Sequence, residues 1–368
     1  MFLLRDFQQR AIEALFHHRH LVLVSPTGSG KSLVFQKFIE LNRKTARVLL
    51  ISPLNALARQ QAQRLETLGI RVWTSIGTDE DRSRNVPDGP GVWVLNPEKL
   101  AKQAWPHLHS FRPNLLIVDE AHCIWEWGDE FRPEFKRILE LIEKFEIQRS
   151  LWCTATLPPS AREQITRYLP RSHVLMGEFK LPEQLEIRRM RTPLHRRFEV
   201  LARLLSEHSR ESGIIFVATR VSAERLSRWM NLRGQRSWVY HAGMSSEERR
   251  AIEQGLDRLR NDSASEDGVV RVVATSAFGM GMDYPFLKFC ILFEPAFNLL
   301  SLAQSLGRVG RSAEAAKAYV LWHEDDFKKL DWLTQKKPER IKELSRVRDW
   351  CDTRDCDRQM LEKYFNGG

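Results

Sequence analysis

The sequence predicts an α/β protein of two tandem units, each a mostly parallel sheet with helices on both faces, followed by a short helical extension. Three observations carry that expectation. From residue 21 to about 168, near-continuous apolar runs of strand length alternate with amphipathic stretches of helix length. Strands buried on both faces read this way, as in a parallel sheet sandwiched between helices. After a basic, less periodic stretch the alternation starts again, and 368 residues exceed one typical domain but suit two with a remainder.

In the first unit, residues 1–176, strands are expected at 21–24, 48–51, 92–95, 115–118 and 151–154. Helices are expected at 56–68 and at 134–145, the latter opened by Pro133 at a first-turn position. Residues 77–91 are polar and rich in turn formers and read as a surface loop. Residues 177–193 read as a linker. The second unit, 194–325, has strands expected at 213–217, 237–240, 269–274 and 289–293, with a loop at 261–268. The architecture repeats although the sequence does not, which implies two similar sheets and a cleft between them. The extension, 326–368, is helical and charged at 341–350 and 358–365, too small for its own core and expected to pack on the second unit.

Lysine and arginine exceed aspartate and glutamate by 10. A polyanionic partner is one reading of that excess, and a solvated basic face is the other. The arginine cluster Arg188, Arg189, Arg191, Arg196 and Arg197 alone favours the solvated face. No run approaches the roughly twenty apolar residues that span a bilayer, so no membrane partner is expected. Met1-Phe2-Leu3-Leu4 is followed at once by charge, which implies no signal peptide and a cytoplasmic protein, nucleoid-associated in a bacterium or nuclear in a eukaryote. The five cysteines include no C-x-x-C pair, so reduced thiols are expected and no complete zinc site is encoded.

Two blocks carry chemistry. Ser25-Pro26-Thr27-Gly28-Ser29-Gly30-Lys31-Ser32 follows an apolar strand and opens a helix. Backbone N–H groups there can surround phosphate, with Lys31 on the β/γ-phosphates and Ser32 on magnesium. Asp119-Glu120-Ala121-His122 follows another apolar strand, where Asp119 can hold the same magnesium and Glu120 can orient the attacking water. Together they imply a nucleoside triphosphatase. Thr154-Ala155-Thr156 ends a further strand; its hydroxyls can couple to the acid pair or simply cap a helix.

The second unit adds Gln304-Ser305-Leu306-Gly307-Arg308-Val309-Gly310-Arg311, with Arg308 and Arg311 on one face if helical. Such arginines can neutralise charge on a transferring phosphoryl group. Strand 269–274 runs into Thr275 and a glycine-rich loop containing Gly279 and Asp283, suited to a ribose or a nucleic-acid backbone. His241 ends strand 237–240 without metal partners nearby in sequence, which favours a structural or backbone-contact role.

These blocks resemble superfamily 2 helicases, and in finer detail the RecQ DNA helicases. The decisive stretch is the aromatic-rich run after the acid motif, Cys123-Ile124-Trp125-Glu126-Trp127-Gly128-Asp129-Glu130-Phe131-Arg132-Pro133. The resemblance implies that Trp127, Phe131 and Arg132 sense single-stranded DNA, as base–aromatic stacking without sequence readout allows. Leu4-Arg5-Asp6-Phe7-Gln8 resembles the family's adenine motif, with Gln8 reading the base edge and Arg5 stacking on it. Ser52-Pro53-Leu54, Asn96-Pro97-Glu98, Thr219-Arg220 and Phe278-Gly279-Met280-Gly281 also follow the pattern. Pro53, Asn96, Arg220, His241 and Thr275 are thereby implied as nucleic-acid contacts, Gly279 and Asp283 as nucleotide contacts, and Gln304 as a catalytic partner of the arginines.

What the resemblance implies is two RecA-like domains using ATP and magnesium, closing on the nucleotide and moving 3′-to-5′ along single-stranded DNA to unwind partly duplex DNA. Departures from the family pattern are Ser25 for glycine and Val309 and Ser312 beside the arginines. The end resembles the helix bearing the first zinc cysteine, Cys356, and stops before the other ligands. An RNA helicase of the same superfamily, or an ATP-switched DNA-binding or strand-annealing protein, are the alternatives.

Overall fold

The structure, a computed structural model, describes residues 4–26, 29–53, 55–76, 87–100, 105–122, 133–157, 159–261, 269–276, 278, 284–310, 314–333, 338–353 and 356–366. It divides into two compact units, Met1–Phe179 and Lys180–Asn366.

The first unit is built on seven strands: β1 (His20–Val24), β2 (Arg47–Ile51), β3 (Val72–Ser75), β4 (Gly91–Leu95), β5 (Leu115–Val118), β6 (Arg149–Thr154) and β7 (His173–Met176). They form one sheet in the order β3-β4-β2-β5-β6-β1-β7, with every pairing parallel. Helices α1 (Asp6–His17), α2 (Lys31–Leu41) and α3 (Asn55–Thr67) set Leu15, Phe35, Ile39, Ala58 and Leu65 against Leu21, Leu23, Leu50 and Ile117 in one apolar cluster. On the opposite face Leu49, Leu116 and Trp152 are also wholly buried, so the sheet is covered on both sides. Helix α4 (Pro133–Lys144) buries Ile138 and Leu141, and α5 (Pro159–Tyr168) precedes β7. Burying each such aliphatic side chain contributes about 1.5–3 kcal/mol, and this dense core fixes the strand ends that carry the site.

The second unit has six strands: β8 (Leu185–Arg191), β9 (Ser212–Phe216), β10 (Ser237–Tyr240), β11 (Arg271–Ala274), β12 (Leu287–Leu292) and β13 (Ala316–Trp322). Their order is β10-β11-β9-β12-β13-β8, again wholly parallel. Helices α6 (Arg197–Glu207) and α7 (Arg220–Asn231) pack Leu201, Leu205, Leu226 and Met230 on Ile215, Val273 and Ile291. Helices α8 (Ser246–Asn261) and α9 (Leu299–Leu306) complete the alternation, and α10 (Glu324–Leu333), α11 (Pro338–Asp352) and α12 (Asp357–Asn366) follow.

The expected linker at 177–193 is corrected. The first unit runs to Phe179, and β8 lies inside 177–193, paired along seven residues with β13. Its arginines concealed it: Arg189 donates to the Trp350 carbonyl, pairs with Asp357 at 3.3 Å and lies over the Trp350 ring, while Arg191 lies over Trp322. Their stems cover apolar surface while the charged heads find partners. Strands β3, β7 and β13 are likewise additions to the expected set. The extension packs on the second unit as expected. Arg358 donates to the carbonyls of Leu181, Pro182 and Leu185, and Glu362 accepts from the Leu181 N–H.

Candidate nucleotide site in the first unit

In a parallel sheet the carboxyl ends of the strands are where loops can gather chemistry. Three adjacent strands, β5, β6 and β1, end together here. The Ser25 N–H donates to the Thr154 carbonyl at 3.0 Å, and the Ala121 N–H donates to the Cys153 carbonyl at 2.8 Å. The phosphate loop, the acid pair and the Thr154-Ala155-Thr156 segment are therefore tied to one another through backbone.

The loop turns into α2 at Gly30, whose φ of 86° is in the left-handed region. A side chain there would also collide with Gln8, because a Cβ would sit 2.5 Å from Gln8 Nε2. Both facts require glycine. Lys31 Nζ donates to the carbonyls of Ser25 at 2.7 Å and Pro26 at 3.2 Å, so the ammonium lies inside the turn. Ser29 Oγ is buried with no hydrogen-bond partner among the described residues. An ammonium and an orphaned hydroxyl in one turn, at a helix N-terminus, fit an anionic group.

Across from the loop, Asp119 and Glu120 are both buried. Burial, followed by the neighbouring Glu120 charge, pushes the Asp119 carboxyl up to about 7, while Lys31, the Glu120 N–H and Gln61 pull the other way. The Asp119 carboxylate and the Ser32 hydroxyl, joined by the Gln61 amide, are oxygen donors of the kind a magnesium ion takes. Glu120 adopts φ 49°, a left-handed conformation that costs a non-glycine residue roughly 1–2 kcal/mol and that clusters at functional sites.

A polar relay leads away from Glu120. His122 Nδ1 lies 3.3 Å from the Glu120 carboxylate and 3.3 Å from Thr154 Oγ1. Thr154 Oγ1 donates to the Thr156 carbonyl at 2.8 Å, and the buried Thr156 hydroxyl has no partner among the described residues. Thr154 thus touches His122 beside the acid pair, and Thr156 is joined to Thr154 through its backbone. Cys153 lies beneath the acid pair, and burial raises its thiol well above the ordinary range.

Sequence reasoning missed Gln61. Its amide donates to Ser32 Oγ at 2.9 Å and to Asp119 Oδ2 at 3.5 Å. The signal was available: Leu57, Ala58, Ala62 and Leu65 make a buried helical stripe, and Gln61 lies in it, 1% exposed. A polar residue at a core position requires a polar partner.

Other expected residues are distributed as follows. Gln8 is buried; its oxygen accepts from the Arg5 N–H at 2.9 Å and its Nε2 donates to the Ser29 and Gly30 carbonyls at 3.2 and 3.3 Å. Gln8 thus fastens the start of α1 to the turn that opens α2. Asn96 caps the Lys99 N–H and donates to Asn55 Oδ1, and Pro53 is buried. In the second unit, exposed Arg220 lies over Gly243, and buried His241 faces Glu224 with Nε2 3.4 Å from the carboxylate. Thr275 and Gln304 are half-buried and Arg308 is buried. Thr27, Gly28, Trp127, Phe131, Arg132, Gly279, Asp283 and Arg311 lie outside the described residues.

Both units have the sequence character of helicase domains. Residues 5–165 match the DEAD/DEAH box helicase family, and residues 196–313 match the helicase conserved C-terminal domain. The chain belongs to the RecQ family of ATP-dependent DNA helicases. It is 30% identical over 335 residues to the ATP-dependent DNA helicase RecQ of Synechocystis, covering 85% of this chain and 67% of that one. It is 29% identical to the RecQ of Pasteurella multocida, over 98% of this chain but 57% of that relative, so it spans little more than half of some relatives. The fold is that of tandem RecA-like domains. A solved structure of S. cerevisiae Dbp5 bound to RNA and ADP BeF3 superposes with TM-score 0.69 at 19% identity, over 92% of this chain and 88% of that one.

Proposed function

We propose that this chain is the motor core of a DNA helicase, a DNA-stimulated ATPase that couples hydrolysis to 3′-to-5′ movement along single-stranded DNA and to strand separation. The observation that supports it most is the convergence of Lys31, Ser32, Asp119 and Glu120 at the ends of three neighbouring strands, with the relay to Thr154 and Thr156 behind them. Ser32 and Asp119 would hold magnesium, which on binding offsets charge on the triphosphate and makes the terminal phosphorus easier to attack. Lys31 exchanges the loop carbonyls for phosphate oxygens. Glu120, held in its left-handed conformation, aligns the attacking water, and His122 and Thr154 carry its change of state to the Thr156 segment. Gln304, Arg308 and Arg311 are assigned to the transferring phosphoryl group from their motif. Trp127, Phe131 and Arg132 are assigned to DNA sensing, and Pro53, Asn96, Arg220, His241 and Thr275 to strand contacts. The partners are single-stranded and partly duplex DNA, in the cytoplasm or with the chromosome.

The test is ATP turnover with and without matched single-stranded DNA and RNA. DNA stimulation is expected, lost in Lys31→Ala with all turnover, and lost in Trp127→Ala with basal turnover retained. Stimulation should weaken steeply with salt, because phosphate contacts release counterions. A preference for RNA, or full turnover in Lys31→Ala, overturns the reading.

A further inference from the structure

We propose that Gln61 is a positioning residue for the metal site, holding Ser32 and Asp119 in register for a magnesium ion and presenting its own oxygen to that ion's hydration shell. The inference rests on the nucleotide site described above. Three observations carry it independently of any motif.

The first is the double contact. One amide group reaches Ser32 Oγ at 2.9 Å and Asp119 Oδ2 at 3.5 Å. These two side chains come from α2 and from the end of β5, far apart in sequence, and Gln61 on α3 bridges them. The amide nitrogen faces both groups, and the Asp119 carboxylate accepts from it when ionised. The second is burial: Gln61 is 1% exposed, so its amide is held inside the protein and not on a solvated face. The third is the remaining half of the amide. Gln61 Oε1 is buried and has no hydrogen-bond partner among the described residues, beside two groups of magnesium-ligand chemistry. A buried carbonyl left without a donor is costly, and a protein retains one where a partner arrives with a ligand. Magnesium sheds its water reluctantly and offers such donors.

The bridge has a second end. Helix α3 opens at Asn55, whose Oδ1 accepts from Asn96. Six residues of helix, roughly 9 Å at 1.5 Å per residue, separate Asn55 from Gln61. A displacement of the Asn96 segment would thus be delivered to the metal ligands by a rigid element, without passing through Glu120.

The experiment measures magnesium dependence of nucleotide binding. A fluorescent ADP is titrated into the full chain in EDTA and at a series of magnesium concentrations, for wild type, Gln61→Met, Gln61→Leu and the neighbouring control Gln60→Met. Both Gln61 variants are expected to bind nucleotide normally in EDTA and to need about 10–100-fold more magnesium for half-maximal tightening, the usual penalty for losing an outer-shell partner. Saturating magnesium should restore turnover, raising the magnesium requirement without lowering the maximal rate. Gln60→Met should match wild type. In a Ser32→Ala background the Gln61→Met effect should shrink, which a mere packing role would not produce. An unchanged magnesium midpoint in a folded Gln61 variant overturns the proposal, as does loss of fold in both variants, which would assign Gln61 to packing. Failure of wild type to bind nucleotide at all would instead sink the functional reading beneath it.

Discussion

The two units share wholly parallel topology and treat buried charge in opposite ways. In the second unit the carboxylates near the sheet are matched. Arg197 and Asp326, each about 4% exposed, make a bidentate pair at 2.7 and 2.6 Å. Glu294 accepts from the Ala218 N–H at 2.8 Å and the Ser222 hydroxyl at 3.3 Å, and pairs with Lys329 at 2.6 Å. In the first unit Asp119 and Glu120 face each other's charge, and the nearby Lys31 ammonium is spent on backbone carbonyls. Ser29 Oγ, Gln61 Oε1 and Thr156 Oγ1 are buried around them without partners among the described residues. The lesson is narrower than charge balance throughout: Arg197 and Asp326 neutralise each other in the second unit, whereas the acid pair of the first has no such cation on it among the described residues. Charge replacements should therefore harm stability in the second unit and function in the first.

The largest effect is expected at Arg197. Arg197→Ala leaves Asp326 buried and uncompensated apart from the His323 N–H, and should cost about 3–5 kcal/mol in urea unfolding of the second unit. Replacing both partners by apolar residues should cost far less. If the single and double replacements cost the same, Arg197 and Asp326 do not act by neutralising each other.

Next in size is Glu120→Gln. Turnover should fall about 10²–10³-fold, a loss of roughly 2.7–4 kcal/mol of transition-state stabilisation, as for other preorganised groups. Melting in EDTA should be unchanged or improved, because a like charge leaves the side of Asp119. Destabilisation comparable to Arg197→Ala would erase the contrast between the units.

A pH experiment sharpens it further. Asp119 is pushed from its ordinary 3.8 to about 7 in the folded protein. Between those values the folded state binds a proton that the unfolded state does not, so metal-free stability falls as pH rises from about 4 towards 7. His20 and His173, lowered first of all by burial, act oppositely, costing stability as pH drops below 6.5. The difference between wild type and Asp119→Asn isolates the carboxyl. Relative to Asp119→Asn, wild type should lose melting temperature from pH 5 to pH 7.5 in EDTA. Magnesium should reverse the trend, since a bound cation favours the carboxylate.

How much of this was legible in the sequence follows the same division. Strands β1, β2, β4, β5 and β6 announce themselves because both faces are buried and each carries a run of at least three consecutive apolar residues. Strand β8 does not, because its arginines are satisfied by Trp350, Asp357 and Trp322, partners far along the chain. Strand β7 is an edge strand whose residues are all half-buried, and β3 is also a short edge strand, so neither makes a continuous apolar run. Lys31, Ser32, Asp119 and Glu120 were legible from local motifs, and the structure brings them together. Gln61 was legible only as a polar residue inside an apolar helical stripe; what it does there was not, because its two partners lie on other elements. Gln8 and Asn96 carry contacts inside the protein that no motif specifies.

The smallest effects test whether the second unit braces its helix starts redundantly. Thr219 Oγ1 accepts from the Ser222 N–H at 3.0 Å at the start of α7, and Glu294 holds the adjoining Ala218 N–H and the Ser222 hydroxyl. Asn298 Oδ1 accepts from the Ser301 N–H at 2.7 Å at the start of α9. Removing a cap typically costs about 1 kcal/mol, within a range of 0.5–2. Thr219→Ala should fall at the low end, because Glu294 keeps the chain entry in place and its charge favours the helix N-terminus. Asn298→Ala should cost more, and Thr219→Ala should reach that cost only with Glu294→Ala added. Urea midpoints for the three single variants and the Thr219/Glu294 pair decide this, and additive losses at Thr219 and Glu294 would show that the brace is not shared.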